Sequence, residues 1–299
     1  MYDVLIVGAG PAGLTAAIYA ARNNLKVGLL EGNVPGGQVV VTATVENYPG
    51  YATIDGPDLA YIMYDQVMKL GVELIAANAT KIEKHDDHIL VKTYDEDFKG
   101  RVVIIATGTL QKRLHVKGEA DFEYKGISWC AICDGSFHKG KDVVVVGGGN
   151  SALEETIYLS NLVNKVYLIH RRDTFRAESH IVDKLKQLKN VEFVLDSVIE
   201  EFIGDEKLGK VRVRNVKNNQ ERVIEVSGAF EYVGQLPATD FVKDLGITNE
   251  AGYIIVDENF ETKVENLYAA GDVLDKNVRQ IVTATNDGAI AVLNAIKKL

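Results

Sequence analysis

Residues 8–13 read GAGPAG, and they lie between two stretches with regular apolar patterns. The residues before them, Tyr2 to Val7, predict a buried strand, and the alanine-rich stretch from Leu14 to Asn23 predicts a helix. Lys26 to Leu30 predicts a second strand, which ends at Glu31. Glycines in such a turn let the backbone approach a pyrophosphate, and an acid after the second strand suits ribose hydroxyls. The opening residues therefore predict a dinucleotide-binding βαβ unit.

The same order of elements returns 139 residues later. Asp142 to Val146 predicts a strand, GGGNSA at 147–152 the turn, Leu153 to Asn161 the helix, and Lys165 to Ile169 the next strand. Where the first unit has an acid, the second has HRRDTFR at 170–176. A carboxylate would repel a 2′-phosphate, whereas arginines bind one through charge-assisted hydrogen bonds. The first turn therefore favours FAD or NAD and the second NADP; the alternative for the arginines is a solvated helix start.

Each unit also closes with an apolar strand, at Val102 to Gly108 and at Ala229 to Gly234. A last segment predicts a short strand at Asn266 to Ala270, then Gly271-Asp272, then a helix from about Thr283. A Gly-Asp pair at a strand end could hydrogen-bond a polyol such as ribitol, or could be only a turn or helix cap. We expect an α/β fold with two Rossmann-like dinucleotide-binding domains.

Composition limits the class of protein. A chain of 299 residues is long enough for two domains, and 46% hydrophobic residues can fill their cores. A net charge of −9 disfavours nucleic-acid binding. The apolar stretch from Val4 to Ala21 follows Asp3 rather than basic residues and contains glycines, so it predicts neither a signal peptide nor a membrane span. We expect a cytoplasmic protein.

The only two cysteines, Cys130 and Cys133, lie three residues apart. A structural zinc site would need further ligands, and no second cysteine pair exists, so we expect no metal. A static disulfide is improbable in a reducing compartment, which favours a redox-active dithiol over two inert buried thiols. Asp134 follows directly; it is a candidate general acid–base, with helix capping as the alternative.

Taken together, these motifs resemble the low-molecular-weight, bacterial-type thioredoxin reductases over nearly the whole chain. The segments that carry the resemblance are Gly8–Gly13, Gly36–Gln38, Glu46–Gly50, Ala106–Gly108, Cys130–Gly135, Gly147–Glu155, His170–Ala177, Ala269–Val273 and Arg279-Gln280. The resemblance implies a homodimeric flavoprotein in which residues 1–112 and 240–299 form a discontinuous FAD-binding domain. An inserted domain, residues 113–239, would bind NADPH and carry the cysteines.

The resemblance also assigns roles to single residues. The FAD site would comprise Gly8, Gly10, Pro11, Ala12, Gly13, Glu31, Gly37, Gln38, Asn47, Gly271, Asp272, Arg279 and Gln280. The NADPH site would comprise Gly147, Gly149, Asn150, Ser151, Ala152, His170, Arg171, Arg172 and Arg176. Electrons would pass from NADPH through FAD to the Cys130–Cys133 disulfide and then to oxidised thioredoxin. Cys133 would face the flavin, Cys130 would attack the partner, and Asp134 would act as acid–base.

One domain would carry both the nicotinamide site and the dithiol, and both must reach the same flavin ring. We therefore expect a rotation of the middle domain about hinges near 111–116 and 235–240. Gln235, Ser136 and Lys125 depart from residues common in the family, which bears on partner selectivity. The alternatives are a flavin disulfide reductase for a peroxiredoxin or glutaredoxin-like partner, an NADPH–ferredoxin or flavodoxin oxidoreductase, and a non-catalytic nucleotide sensor.

Overall fold

The computed structural model describes residues 1–42 and 44–299, which divide into two compact units. Unit 1 comprises residues 1–110 and 236–299, and unit 2 comprises residues 111–235. The chain therefore crosses between units twice, two and four residues before the positions that the sequence predicts. The assignment of one unit to FAD and the other to NADPH stays a prediction.

The first part of unit 1 is built around the strand that precedes the first glycine turn. Its elements are β1 (Tyr2–Val7), α1 (Pro11–Arg22), β2 (Val27–Leu30), β3 (Thr44–Val45), β4 (Ile54–Asp55), α2 (Gly56–Met68), β5 (Glu73–Ile75), β6 (Lys81–Lys84), β7 (Ile89–Lys92) and β8 (Asp97–Ile105). Strand β1 lies between β2 and β8 and is parallel to both, with Val4 opposite Val27 and Val102. β7 and β6 continue the sheet in the antiparallel sense. The near-continuous apolar sequence of β1 fits a parallel strand covered on both faces.

Unit 2 repeats this arrangement. After the crossing strand β9 (Thr109–Gln111), its elements are α3 (Glu119–Phe122), β10 (Ile127–Ser128), α4 (Ala131–Asp134), β11 (Asp142–Gly147), α5 (Asn150–Ser160), β12 (Lys165–Ile169), α6 (Ser179–Lys186), β13 (Val191–Val194), β14 (Ser197–Gly204), β15 (Leu208–Asn215), β16 (Glu221–Glu225) and β17 (Gly228–Tyr232). A five-stranded parallel sheet has the order β10-β17-β11-β12-β13, and β14, β15 and β16 form a separate antiparallel sheet. Each unit thus pairs a parallel sheet with antiparallel strands.

The chain returns to unit 1 through β18 (Gln235–Pro237), which pairs with β9, and ends with β19 (Leu267–Ala269) and α7 (Ile281–Ile296). Strand β19 adds to the parallel sheet beside β8. Helix α7 packs closely against α1, because a Cβ on Gly288 would lie 2.1 Å from the Ala12 carbonyl oxygen. Short 3₁₀ helices cover Gly37–Val41, Gly135–His138 and Asp240–Leu245.

The predicted fold class is confirmed. Strands β1 and β12 have the predicted bounds, whereas α5 begins at Asn150, three residues earlier than its apolar pattern predicts. Strand β8 ends at Ile105, three residues before the end at Gly108 that the sequence predicts. In the part of the chain that the structure describes, no helix is long and apolar enough to cross a bilayer. Nor do the described residues include a group of three or more side chains suited to hold a metal.

Candidate active site

The two cysteines of unit 2 are joined in a disulfide. Cys130 and Cys133 have their sulfur atoms 2.01 Å apart and their Cα atoms 5.3 Å apart. Cys130 is the residue before α4, and its sulfur accepts a hydrogen bond from the Cys133 backbone N–H at 3.1 Å. The first turn of this short helix therefore brings the two sulfurs together. Cys130 is only 9% exposed, whereas Cys133 is exposed.

The backbone around Cys130 is held by side chains from two strands. The Ser128 hydroxyl accepts from the Cys130 N–H at 3.0 Å, and the Tyr232 hydroxyl accepts from the Ala131 N–H at 3.1 Å. Burial, and then the negative charge of Glu155, raise the pKa of Tyr232 well above its ordinary value. The Tyr232 hydroxyl therefore stays neutral and can hold the segment at any physiological pH.

Asp134 lies at the end of α4 and is half-buried. Its backbone N–H donates to the Cys130 carbonyl at 3.1 Å. It immediately precedes the 3₁₀ helix Gly135–His138, and its side chain makes no capping hydrogen bond there. The capping alternative thus has no support in this geometry, and the acid–base role stays a prediction.

The first glycine turn, in unit 1, has two positions that exclude any side chain. Gly8 has φ +105°, and a Cβ on Gly13 would lie 1.9 Å from the Gly8 carbonyl oxygen. Gly10 differs, since the nearest heavy atom to its Cβ position is the Gly37 Cα at 4.0 Å. Pro11 is the first residue of α1. The turn is therefore tight on its protein side and open where a pyrophosphate would approach.

Glu31 connects the end of β2 to this turn. One carboxylate oxygen accepts from the Ala9 N–H at 2.8 Å and the other from the Asn33 N–H at 2.9 Å. These two bonds orient the carboxylate, and each oxygen keeps further acceptor capacity for a ribose hydroxyl.

The other residues predicted for the FAD site also lie in unit 1. Gln38 donates to the Thr109 carbonyl at 2.9 Å, and Asn47 donates to the Gln280 side-chain oxygen at 3.1 Å. Gln280 caps α7, and a Cβ on Gly271 would lie 2.8 Å from that of Ala12. The structure thus brings together segments that are more than 200 residues apart in sequence.

Asp272 gives a direct test of whether a polyol fits here. Its Oδ1 is buried and accepts no hydrogen bond from any residue that the structure describes, and the Lys276 ammonium is 3.7 Å away. Burial raises the pKa of this carboxyl, and the nearby cations of Lys276 and Arg279 oppose the rise. Arg279 donates to the Asp272 backbone carbonyl at 3.2 Å, so its guanidinium does not satisfy Oδ1. A buried carboxylate oxygen without a donor fits a ligand hydroxyl.

Two residues of this region were missed by the sequence interpretation. The Lys276 ammonium lies 2.6 Å from Oδ2 of the buried Asp287, which also accepts from the Gly271 N–H at 3.2 Å. This pair fixes the loop that presents Asp272. Asp287 is the only charged residue of α7, and this was the available signal.

The second glycine turn, in unit 2, has the same open character. No heavy atom lies within 4 Å of a Cβ placed on Gly149, and α5 begins at the next residue, Asn150. Asn150 and Glu178 exchange hydrogen bonds: the Asn150 amide donates to the Glu178 carboxylate at 2.8 Å, and the Glu178 N–H returns to Asn150 at 2.9 Å. Ser151 and Ala152 follow in the first turn of α5. Glu178 is a third residue that the sequence interpretation missed.

The basic segment after β12 separates into a buried histidine and exposed arginines. His170 is buried beneath the turn, because a Cβ on Gly148 would lie 2.2 Å from its ring. Burial lowers the pKa of His170, and its ring N–H donates to the Thr174 carbonyl at 3.1 Å. Arg171, Arg172 and Arg176 are exposed, and among the described residues their side chains form no ion pair with a carboxylate. His170 thus lies beneath the turn, and the positive charge of this segment is on its exposed arginines.

Two dinucleotide-type turns and a disulfide between cysteines three residues apart, in one chain, define a pyridine nucleotide-disulphide oxidoreductase. The sequence model of that family matches residues 2–288, so the chain belongs to it. Within the family it is one of the low-molecular-weight thioredoxin reductases, as the resemblance in sequence predicts. It is therefore an oxidoreductase, and membership implies the use of a flavin and of NADPH.

The similar proteins cover nearly the whole chain. The thioredoxin reductase of Bacillus subtilis is 43% identical over 292 residues, 97% of this chain and 92% of that protein. That of Ureaplasma parvum is 44% identical over 296 residues, 99% of this chain and 96% of that protein. The solved thioredoxin reductase of Lactococcus lactis superposes with a TM-score of 0.97 at 44% identity, with 99% of this chain and 98% of that one covered.

Proposed function

We propose that this protein transfers two electrons from NADPH, through bound FAD and the Cys130–Cys133 disulfide, to oxidised thioredoxin. The net reaction converts NADPH, a proton and a thioredoxin disulfide into NADP⁺ and a thioredoxin dithiol. The observation that carries the proposal is the disulfide at the start of α4, in the same unit as the second glycine turn. We infer thioredoxin as the partner because the similar proteins are named thioredoxin reductases.

Unit 1 is the proposed FAD-binding domain. When bound, FAD would accept a hydride from NADPH, which no protein side chain can do. The turn is open at Gly10, and together with Pro11 and Ala12 it would hold the pyrophosphate, while Glu31 would accept from the adenosine ribose. The orphaned Oδ1 of Asp272 would accept a hydrogen bond from a ribitol hydroxyl. The remaining residues proposed to line the site are Gly8, Gly13, Gly37, Gln38, Asn47, Gly271, Arg279 and Gln280.

Unit 2 is the proposed NADPH-binding domain. The turn at Gly147–Ala152 is open at Gly149, where a pyrophosphate would approach the start of α5. The exposed arginines at 171, 172 and 176 would bind the 2′-phosphate, because each keeps donors that no carboxylate occupies among the described residues. Buried His170 would support the turn from below.

The two cysteines have different proposed roles. In the reduced protein, the Cys130 thiolate attacks a sulfur of the thioredoxin disulfide, forming a mixed disulfide and releasing one thioredoxin thiolate. Asp134 would protonate that leaving thiolate. The Cys133 thiolate then attacks Cys130, which restores the internal disulfide and releases the second thioredoxin sulfur.

A change in domain orientation is part of the proposal. With 9% of Cys130 exposed, a protein substrate reaches its sulfur only after a rearrangement. We propose that unit 2 rotates about the two crossings, at 110/111 and 235/236, as one body. A cross-link that locks one orientation should leave one half-reaction intact and abolish turnover; normal turnover of the locked enzyme would contradict the rotation.

The central experiment is NADPH-dependent reduction of a bacterial thioredoxin by the purified holoenzyme. Cys130→Ser should abolish thioredoxin reduction while the protein stays yellow and is still bleached by NADPH. Ser136→Ala is the matched control, because Ser136 is an exposed neighbour in the following 3₁₀ helix. Full activity of Cys130→Ser would exclude the dithiol route and favour a ferredoxin- or flavodoxin-type oxidoreductase.

The partner, the assembly and the location belong to the same proposal. Reduction of a peroxiredoxin or a glutaredoxin-like protein, but not of thioredoxin, would identify a related disulfide reductase instead. We further propose a cytoplasmic homodimer, as the family resemblance implies. Sedimentation of the holoenzyme tests the dimer, and fractionation of the source cells tests the location.

A further inference from the structure

A carboxyl group lies in the apolar interior of unit 2, beside the segment that carries the dithiol. Glu231 is the penultimate residue of the closing strand β17, and its side chain is fully buried. Its neighbours in this strand and the next, such as Ala229 and Val146, belong to the apolar core. Burial of a charged carboxylate in such surroundings is strongly unfavourable unless it is paired or protonated.

The hydrogen bonds around Glu231 show where a proton must be. Its Oε2 accepts from the Trp129 indole N–H at 3.1 Å, and its Oε1 meets no donor among the described residues. The Glu119 carboxyl acts on Glu231 both as a negative charge and as a hydrogen-bond partner, and both effects raise the pKa of Glu231. Glu119 already accepts the backbone N–H groups of Leu114 and Val116, at 3.0 and 3.2 Å. A proton on Oε1 of Glu231, directed towards Glu119, satisfies this otherwise unpartnered oxygen.

The charges facing Glu231 agree with this arrangement. Burial, followed by the negative charge of Glu119, raises the pKa of Glu231 to about 8. The Trp129 hydrogen bond and the positive charge of Arg113 oppose that rise. Arg113 is itself ion-paired with Glu123 at 2.6 Å, and the nearby Tyr124 hydroxyl also raises the pKa of Arg113. At neutral pH Glu231 therefore keeps its proton.

The Glu119–Glu231 pair is connected to the dithiol through Trp129, the residue before Cys130. The Arg113 guanidinium lies 3.6 Å from the centre of the indole ring, and Tyr124 packs edge-on against it. The next residue of β17, Tyr232, accepts the Ala131 N–H on the other side of Cys130. Two consecutive residues of one strand thus hold the backbone before and after the cysteine.

We propose that Glu231 is a positioning residue for the Cys130–Cys133 dithiol: a proton shared with Glu119 holds Trp129, and with it the backbone that carries Cys130. Loss of that proton leaves two negative carboxylates close together in an apolar interior. Their repulsion then moves them apart. It also adds negative charge near Cys130, which disfavours the thiolate. The positioning role rests on the proposed function, whereas the shared proton does not.

The chain has a single tryptophan, so one indole N–H resonance reports on the pair. In the oxidised holoenzyme labelled with ¹⁵N-tryptophan, we expect this cross-peak to titrate with a midpoint of about pH 8. Glu231→Gln keeps both hydrogen bonds without a titrating proton, so its cross-peak should not move through that range. Asp121→Asn, an exposed residue on α3, is the matched control and should titrate like the wild type. A wild-type cross-peak that does not titrate, or a Glu231→Gln cross-peak that does, overturns the shared proton.

The second measurement tests positioning. The reduced holoenzymes are allowed to react with a small aromatic disulfide, and the ratio of the wild-type rate constant to that of Glu231→Gln is followed against pH. Thiolate formation common to both proteins cancels in this ratio. We expect a constant ratio below about pH 7 and a fall of about twofold at pH 8, where half of Glu231 is ionised. A ratio independent of pH overturns the positioning role; neither measurement requires thioredoxin, so both stand apart from a failure of the proposed function.

Discussion

The arginine cluster after β12 predicts how strongly this enzyme should distinguish NADPH from NADH. The perturbation is Arg171→Ala, alone and combined with Arg176→Ala. A hydrogen bond to a charged group is worth about 1.5–3 kcal/mol, which is about 10- to 150-fold in kcat/KM. Both arginines are exposed, so solvent screening places each effect at the lower end, about tenfold. The double variant should lose about a hundredfold if the two contributions add.

The assay is steady-state kcat/KM with NADPH and with NADH, at saturating thioredoxin. Only the NADPH value should fall, because NADH has no 2′-phosphate for the arginines to bind. Arg222→Ala is the matched control, since Arg222 is an exposed arginine of the same unit that is ion-paired with Glu192. Equal losses with both nucleotides, or an unchanged NADPH value in the double variant, would refute the assignment of this cluster to the 2′-phosphate.

Three further predictions concern the flavin turn, pH and the buried ion pair. Gly13→Ala should prevent flavin-loaded protein from forming, because its Cβ would lie 1.9 Å from a backbone oxygen; Gly10→Ala should fold and only weaken flavin retention, measured by absorbance after gel filtration. Because the folded pKa of Glu231, about 8, lies above the value in an unfolded chain, the folded protein keeps a proton that the unfolded chain loses. The unfolding free energy should therefore fall by a few kcal/mol between about pH 4.5 and pH 8, and Glu231→Gln should remove that fall in urea titrations. Lys276→Met should lower the unfolding free energy by about 3 kcal/mol, because it leaves the buried Asp287 carboxylate without its cation; an unchanged urea midpoint would contradict this.

Much of the fold could be predicted because its signals are local. The glycine turns, the strands before them and the helices after them each lie within about thirty residues, and steric exclusion at Gly13 acts between residues five positions apart. Element bounds were less accurate where the apolar pattern and the hydrogen bonding diverge. Helix α5 begins at Asn150, so the last residues of the predicted glycine turn, Asn150 to Ala152, already belong to the helix. The apolar pattern that predicts the helix begins only at Leu153.

The candidate site was predictable only in its outline. The cysteine spacing predicts a dithiol, and the structure joins the two sulfurs. The roles of the individual FAD and NADPH residues stay predictions. His170 is buried beneath the turn with a lowered pKa, and its place in the NADPH site stays a prediction.

By itself, the sequence determined two glycine turns, two cysteines three residues apart, and an acid after the first βαβ unit where the second unit has arginines. These features depend on residue type and short spacing, which do not change when the chain folds. Only the tertiary structure decided that Glu231 meets Trp129 across 102 positions, and that Asp287 holds Lys276 beside an orphaned oxygen of Asp272. Such pairs form when distant segments enter the same interior, where a low dielectric makes each unpaired polar atom costly.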